Sequence, residues 1–368
     1  MKHSLLLLVS SIMANSAVAA VIGYGSSNAV LPSKNQELVY MGFELGILQH
    51  VTEKAFTELV EIRQSSNGKQ LEAQNVARDL IKGGARLLIG FPTSHEALLT
   101  SKIARENNVM AVFAGASHSD LATMGPMIYT TGESMEYAVR STLDFIQKRF
   151  PSRKGALIGN PFAVFSKNQD DHYLKLLQEP TYSNMSIDHI TIRSDTSLSP
   201  ESLEKLQTNH YAYLIITPYA DESGKILSQL EKQGIDLPLI ANSSWTTGDV
   251  DLIRRFLTHK REPAYCSSFT SSTESKDYRK FSALFFSRFG KSPTAESSYG
   301  YDLGLLIGKL LKQTGKTPSA EDFRLALLKN PCVENTSSGK FCFPGNGGHA
   351  IRKLNMLKFN KQGFKSIE

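Results

Sequence analysis

The chain has 368 residues, 41% of them hydrophobic and 21% charged, which is enough for two domains with separate cores. Its 41 Lys and Arg are interspersed with 35 Asp and Glu, for a formal charge of +6 with no basic run. That is a solvated surface, not a nucleic-acid footprint.

The chain begins MKHSLLLLVSSIMANSAVAA. Lys2, the apolar run Leu5 to Met13 and the small-residue ending are the three parts of a secretory leader over residues 1–20, with cleavage after Ala19 or Ala20. The apolar run is too short to span a bilayer, and no Cys follows it to carry a lipid. A periplasmic or extracellular location is therefore expected.

From Val21 onward, short apolar runs alternate with amphipathic ones. AVIGYG predicts a strand and NQELVYMGFELGILQHVTEKA a helix. FTELVEIRQ predicts a strand, and KQLEAQNVARDLIKGG a helix ending at a glycine pair. ARLLIGF, SHEALLTSKIARENN and VMAVFAGAS continue as strand, helix and strand, and SMEYAVRSTLDFIQKRF predicts a long helix closed by Pro151. KGALIGN, SIDHITIRS, YAYLIITPY and LPLIANSSW repeat the strand rhythm with helices between them, one of them opening on Ser199 and Pro200. Two such series predict an α/β protein of two doubly wound, parallel-sheet (Rossmann-like) lobes.

In open α/β sheets, ligands bind beyond the carboxyl ends of the strands. Those ends here are small and polar: GFPTS, GASHS, GNPFAVFS, TPYADES and ANSSWTT. At the first of them, Thr93 and Ser94 stand where a strand hands over to a helix, whose first N–H groups lack intrahelical partners. They can serve as a plain N-cap, or the cap and the free N–H groups together can hold an anion.

A catalytic reading is weaker. GASHS approaches the nucleophile elbow of serine hydrolases but has Ser119 where the elbow needs a Gly, and His118 beside Ser117 is not thereby placed as a base. No phosphate-binding glycine loop is present, and His95 and His118 read as solvated loop residues with no metal-ligand spacing around them. Neither an enzyme, a metal nor a cofactor is expected. Cys332 and Cys342 flank the loop VENTSSGKF and are expected to form a disulfide in an exported protein, leaving Cys266 buried and inert.

The run IGFPTSHEALLTSKIARENNVMAVFAGASHSDL resembles the branched-chain amino-acid binding proteins, type I periplasmic solute-binding proteins of ABC importers. SSYGYDLGLLIGKLL, GKFCFPGNGGHA and LPLIANSSW are similar to further segments of that family, so the likeness covers the mature chain. It implies a three-crossover hinge, with lobe 1 over 21–134 and 268–345 and lobe 2 over 135–267 and 346–368. It also implies a monomer that carries a small-molecule ligand (an amino acid, small carboxylate or amide) to a permease in the inner membrane. A sensor reporting to a membrane kinase is the alternative.

By the same resemblance, the ligand carboxylate falls to Ser94, Gly115 and Ser117, with Thr93 and Ala116 in the same turns. Phe165, Tyr219, Ser243 and Trp245 are the second-lobe candidates. The family's acidic partner for a ligand ammonium aligns with Ser243, which carries no charge. Asp221 or Glu222 is then expected to take that role, unless the ligand has no ammonium. Phe165 stands near a family Tyr and lacks its hydroxyl.

Overall fold

Strand and helix alternate from Val21 onward in the structure, a computed structural model that describes residues 21–27, 33–65, 72–246, 250–268, 275–315, 317–360 and 363–367. The leader expected over 1–20 lies outside the described residues. The first series runs β1 (Ile22–Ser27), α1 (Ser33–Ile47), α2 (Glu53–Leu59), β2 (Val60–Ser65), α3 (Glu72–Lys82), β3 (Leu87–Gly90), α4 (Ser94–Glu106), β4 (Met110–Phe113) and β5 (Ile128–Thr130). The single helix expected over 35–55 is two. Thr52 starts the second by accepting the Ala55 N–H at 3.3 Å, so Phe56 to Leu59 are helical and the strand begins only at Val60.

The second series runs α5 (Met135–Arg149), β6 (Lys154–Gly159), α6 (Val164–Leu176), β7 (Ser186–Thr191), α7 (Pro200–Thr208), β8 (Tyr213–Ile216), α8 (Ala220–Lys232), β9 (Leu239–Ala241), α9 (Val250–His259) and β10 (Ala264–Ser268). Then come α10 (Lys276–Phe289), α11 (Ala295–Thr314), α12 (Ala320–Lys329), β11 (Cys332–Thr336), β12 (Gly339–Cys342), β13 (Gly348–His349), β14 (Ile351–Arg352), β15 (Asn355–Asn360) and β16 (Gly363–Ser366).

The first sheet has the order β13-β5-β4-β3-β1-β2, with every pairing parallel. The second has the order β16-β15-β10-β9-β8-β6-β7, parallel from β10 to β7 and antiparallel at β15 and β16. Strands such as LLIG and YLII are buried along their whole length because helices cover both faces of each sheet. Separate apolar clusters accordingly fill the two faces of each sheet.

The chain leaves the first sheet between β5 and α5, returns between β10 and α10, and leaves again between β14 and β15. The last crossing comes later than the expected position after 345. Gly348 and His349 pair with Tyr129 and Thr130, and β14 pairs with β12, which keeps the chain beside the first lobe up to Arg352. Within that lobe, β11, β12 and β14 form a small antiparallel sheet, and Cys332 and Cys342 are joined across the β11–β12 pair. Cys266 is free and buried in the second lobe.

One contact fixes where the return helix points. Gly42 and Gly46 of α1 face Gly300 and Gly304 of α11 at backbone distance: a Cβ on Gly300 would lie 1.8 Å from the Val39 carbonyl oxygen. Four glycines at four-residue spacing let the two helices touch without side chains between them. The N-terminal end of α11, with Glu296 and Tyr299, is thereby set at the mouth between the lobes.

Candidate functional site

The β3–α4 junction is the most constrained turn of the first lobe. Gly90 has φ 92 and Phe91 φ 43, a left-handed backbone that a bulky residue adopts at a cost of about 1–2 kcal/mol. Full burial of the Phe91 ring, edge-on to Phe113 at 6.5 Å, offsets it. The turn then delivers Thr93 as N-cap of α4. Thr93 Oγ1 accepts the Glu96 N–H at 3.2 Å, and Glu96 Oε2 accepts the Thr93 N–H at 3.2 Å, a reciprocal capping box. Glu96 also accepts the N–H and hydroxyl of Ser27 at 2.6 and 2.8 Å. The Thr93 hydroxyl donates to Glu96 Oε2 as well, at 2.9 Å, and burial pushes the carboxyl above the usual range against these four bonds from Ser27 and Thr93. Thr93 is thus occupied by the cap, and Ser94, one residue on, opens α4.

The β4 end places Gly115, Ala116 and Ser117 beside it. Gly115 has φ 80, and a Cβ there would lie 2.8 Å from the Tyr299 ring, so only glycine lets the ring lie on this turn. Its N–H is engaged by Thr131 Oγ1 at 3.2 Å.

On the facing lobe, Phe165 stacks on Tyr219 with centroids 4.7 Å apart and planes 19° from parallel. Ser243 begins a 3-10 turn (Ser243–Thr246) and its side chain meets the Tyr299 hydroxyl across the cleft. These groups line a cavity of about 90 Å³ between the lobes. Thr93, Ser94, Gly115, Ala116 and Ser117 line one wall, and Phe165, Tyr219, Ser243 and Ser244 the other. A larger hollow of about 280 Å³ lies between the ends of α8 and α9 and the start of β9, at the opposite strand ends, away from where ligands of open α/β sheets bind.

Three sequence candidates do not reach the cavity. Trp245 is fully buried in the second-lobe core, because a 3-10 turn advances about 120° per residue and carries it inward after Ser243 and Ser244. Asp221 is exposed. Glu222 closes the start of α8, accepting the Tyr219 N–H at 3.0 Å and Asn160 Nδ2 at 2.7 Å. The acidic lining residues are instead Glu133, in the β5–α5 crossover, and Glu296, in the first turn of α11. With Tyr299 they were not singled out by sequence. Glu296 and Tyr299, three apart, share a helix face, which is the signal that was available.

The residue-matching family model, described as "Periplasmic binding protein", covers residues 64–364. The chain belongs to this family. Among solved structures, a leucine binding protein from Thermotoga maritima is similar with a TM-score of 0.82 at 15% identity, covering 95% of this chain and 98% of that one. A branched-chain amino acid transporter substrate binding protein from Streptococcus pneumoniae, solved with isoleucine, has a TM-score of 0.80 at 16% identity, covering 95% and 98%. A solute binding protein of an ABC transporter from R. palustris, solved with benzoate, has a TM-score of 0.78 at 15% identity, covering 95% of each chain. No curated protein matches the chain significantly.

In this periplasmic binding protein the lobes also meet beside the cavity. Ser119 donates through its N–H and its hydroxyl to Asn168 Oδ1, both at 3.3 Å, and its hydroxyl meets His172 Nε2. His172 Nδ1 has no partner among the described residues, so no carboxylate orients the ring as a hydrolase base requires. His118 is no solvated loop residue. Its ring accepts the Asp120 N–H at 3.3 Å, and its carbonyl lies 3.1 Å from His349 Nε2. Among the described residues no helix is long and apolar enough to cross a membrane, and no cluster of His, Cys, Asp and Glu is set to hold a metal.

Proposed function

We propose that this periplasmic binding protein is exported, captures an amino acid or related small carboxylate between its lobes, and delivers it to an ABC importer. The observation that supports this most is the interlobe cavity, lined from both sides by hydroxyls and aromatic rings at the strand ends. Ser94 and Ser117, with the N-terminus of α4, suit a carboxylate. Phe165 and Tyr219 suit the hydrocarbon of the solute, and the ligands of the leucine- and isoleucine-associated relatives have both parts.

The lining supports a binding role over turnover: among the described residues no base is held in hydrogen-bond contact with Ser94 or Ser117 by a third group. The test is calorimetric titration of the purified protein with a panel of amino acids, followed by extraction of the bound solute and mass spectrometry. One solute per chain, recovered unaltered, is the expected outcome. Turnover of a molar excess would overturn the reading.

A further inference from the structure

The cavity lining contains two carboxylates, Glu133 and Glu296, and no Lys, Arg or His among the described residues. Glu133 is 5% exposed, and its Oε2 has no hydrogen-bond partner among the described residues. Burial pushes its carboxyl above the usual range, opposed by its own backbone N–H and by Arg352. Arg352 Nη1 donates to Asp302 Oδ2 at 3.3 Å, so that Asp302 shares the Arg352 charge. The loop that carries Glu133 has little freedom to turn it away. A Cβ on the adjacent Gly132 would lie 2.6 Å from the carbonyl oxygens of both Gly115 and Ala116.

A buried acid with an unpartnered oxygen beside a cavity is a costly feature unless something in the cavity completes it. We infer that the solute carries a protonated amine and that Glu133 is its counter-ion, so that the cleft takes amine-bearing solutes and rejects simple carboxylates. This rests on the solute-binding reading and narrows it. A cation beside Glu133 gains a charge-assisted hydrogen bond in a water-poor site. Phe165, Tyr219 and Tyr299 supply aromatic surroundings that tolerate a cation and the carbon next to it. A simple carboxylate such as the benzoate held by the R. palustris relative would meet two acids and no described basic residue. The ammonium partner therefore lies on the hinge side of the first lobe, not at Ser243, Asp221 or Glu222.

The test compares three matched probe sets by thermal shift and calorimetry on the full exported chain. They are amino acids (leucine, phenylalanine), their des-amino acids (4-methylpentanoate, 3-phenylpropanoate) and their des-carboxy amines (isopentylamine, phenethylamine). The best amino acid should bind at least a hundredfold more tightly than its des-amino acid. Glu133→Gln, checked for folding by circular dichroism, should narrow that ratio at least tenfold, which a purely structural role for Glu133 would not do. A des-amino acid that binds wild type within threefold of its amino acid overturns the inference while leaving solute binding intact. So does an unchanged ratio in Glu133→Gln. If no member of any set binds, the amine inference and the wider reading both fall.

Discussion

Glu133 and Glu296 line the first-lobe wall of the cleft, whereas the second-lobe acids nearest the rim are turned back into their own lobe. Asp170 accepts Thr217 Oγ1 at 2.5 Å, and Glu222 is held by Asn160 and the Tyr219 N–H. Further from the rim, Asp188 is held well below the usual carboxylate range by the Tyr211 hydroxyl, with Lys154 and Lys205 adding to it. The first lobe thus sets two acids on the cleft, Glu133 with an oxygen unpartnered among the described residues, while the second turns its own inward and offers rings and hydroxyls. In the proposed pose, selectivity for charge then belongs to one wall and coverage of the apolar part to the other.

The largest expected consequence is acid lability on the first-lobe side. His349, beside Thr130 of the first sheet in parallel register, is 8% exposed, and burial lowers its pKa to about 4; His118 adds a smaller push in the same direction. The unfolded chain therefore takes up a proton near pH 6.5 that the folded chain refuses until about pH 4. Its contribution to stability is complete above pH 6.5 and is lost as pH falls toward 4, about 3 kcal/mol across that window. Urea unfolding of wild type and His349→Gln at pH 7 and pH 4.5 should show the variant losing less stability on acidification. Equal losses would place the acid-sensitive group elsewhere.

A binding comparison sharpens the contrast between the walls. Ser94→Ala removes a hydroxyl from a helix N-terminus that faces a carboxylate in the proposed pose, a charged bond of about 1.5–3 kcal/mol. Affinity should fall roughly tenfold to a hundredfold. Ser243→Ala removes a neutral bond worth about 0.5–1.5 kcal/mol, so affinity should fall roughly twofold to tenfold. Calorimetry with the same amino acid on both variants decides the order. A larger loss in Ser243→Ala would move the carboxylate to the second lobe.

Much of this was legible in the sequence, and the rest was hidden for identifiable reasons. The alternation of buried runs and amphipathic runs carries both sheets because a parallel strand covered on both faces must be apolar throughout. The turns at Ser94 and Ser117 were readable because each follows a strand directly. Glu133 also follows a strand end, in YTTGES, but it lies on a crossover whose direction depends on how two lobes meet. Tyr299 reaches the cavity only because the glycines of α1 and α11 let those helices touch. Glu222 illustrates the opposite error. An acid three residues after Tyr219 at the start of a helix is a capping signature, and the local bond takes the charge out of the cleft. Trp245 was misplaced because a 3-10 turn, not a loop, follows β9.

An effect of the same order as the Ser243→Ala loss concerns the contact that neither wall makes alone. Ser119 stands on a first-lobe 3-10 turn (Ser119–Thr123), and Asn168 and His172 stand on α6 of the second lobe. The side-chain bonds from the Ser119 hydroxyl to Asn168 and His172 exist only while the lobes are together, so removing them alters the closed form and not either lobe by itself. Ser119→Ala leaves the backbone donor to Asn168 in place and takes away hydroxyl bonds worth about 1 kcal/mol net. Because a solute held between the lobes binds the closed form, apparent affinity should fall about fivefold, mostly as faster release. Stopped-flow release measured beside Ser94→Ala separates the two causes. Ser94→Ala should keep closure and lose a ligand bond, whereas Ser119→Ala should weaken every bound solute by the same factor, whatever its charge. A Ser119→Ala effect that differs between an amino acid and its matched amine would mean that Ser119 touches the ligand, and the division of labour between the walls would have to be redrawn.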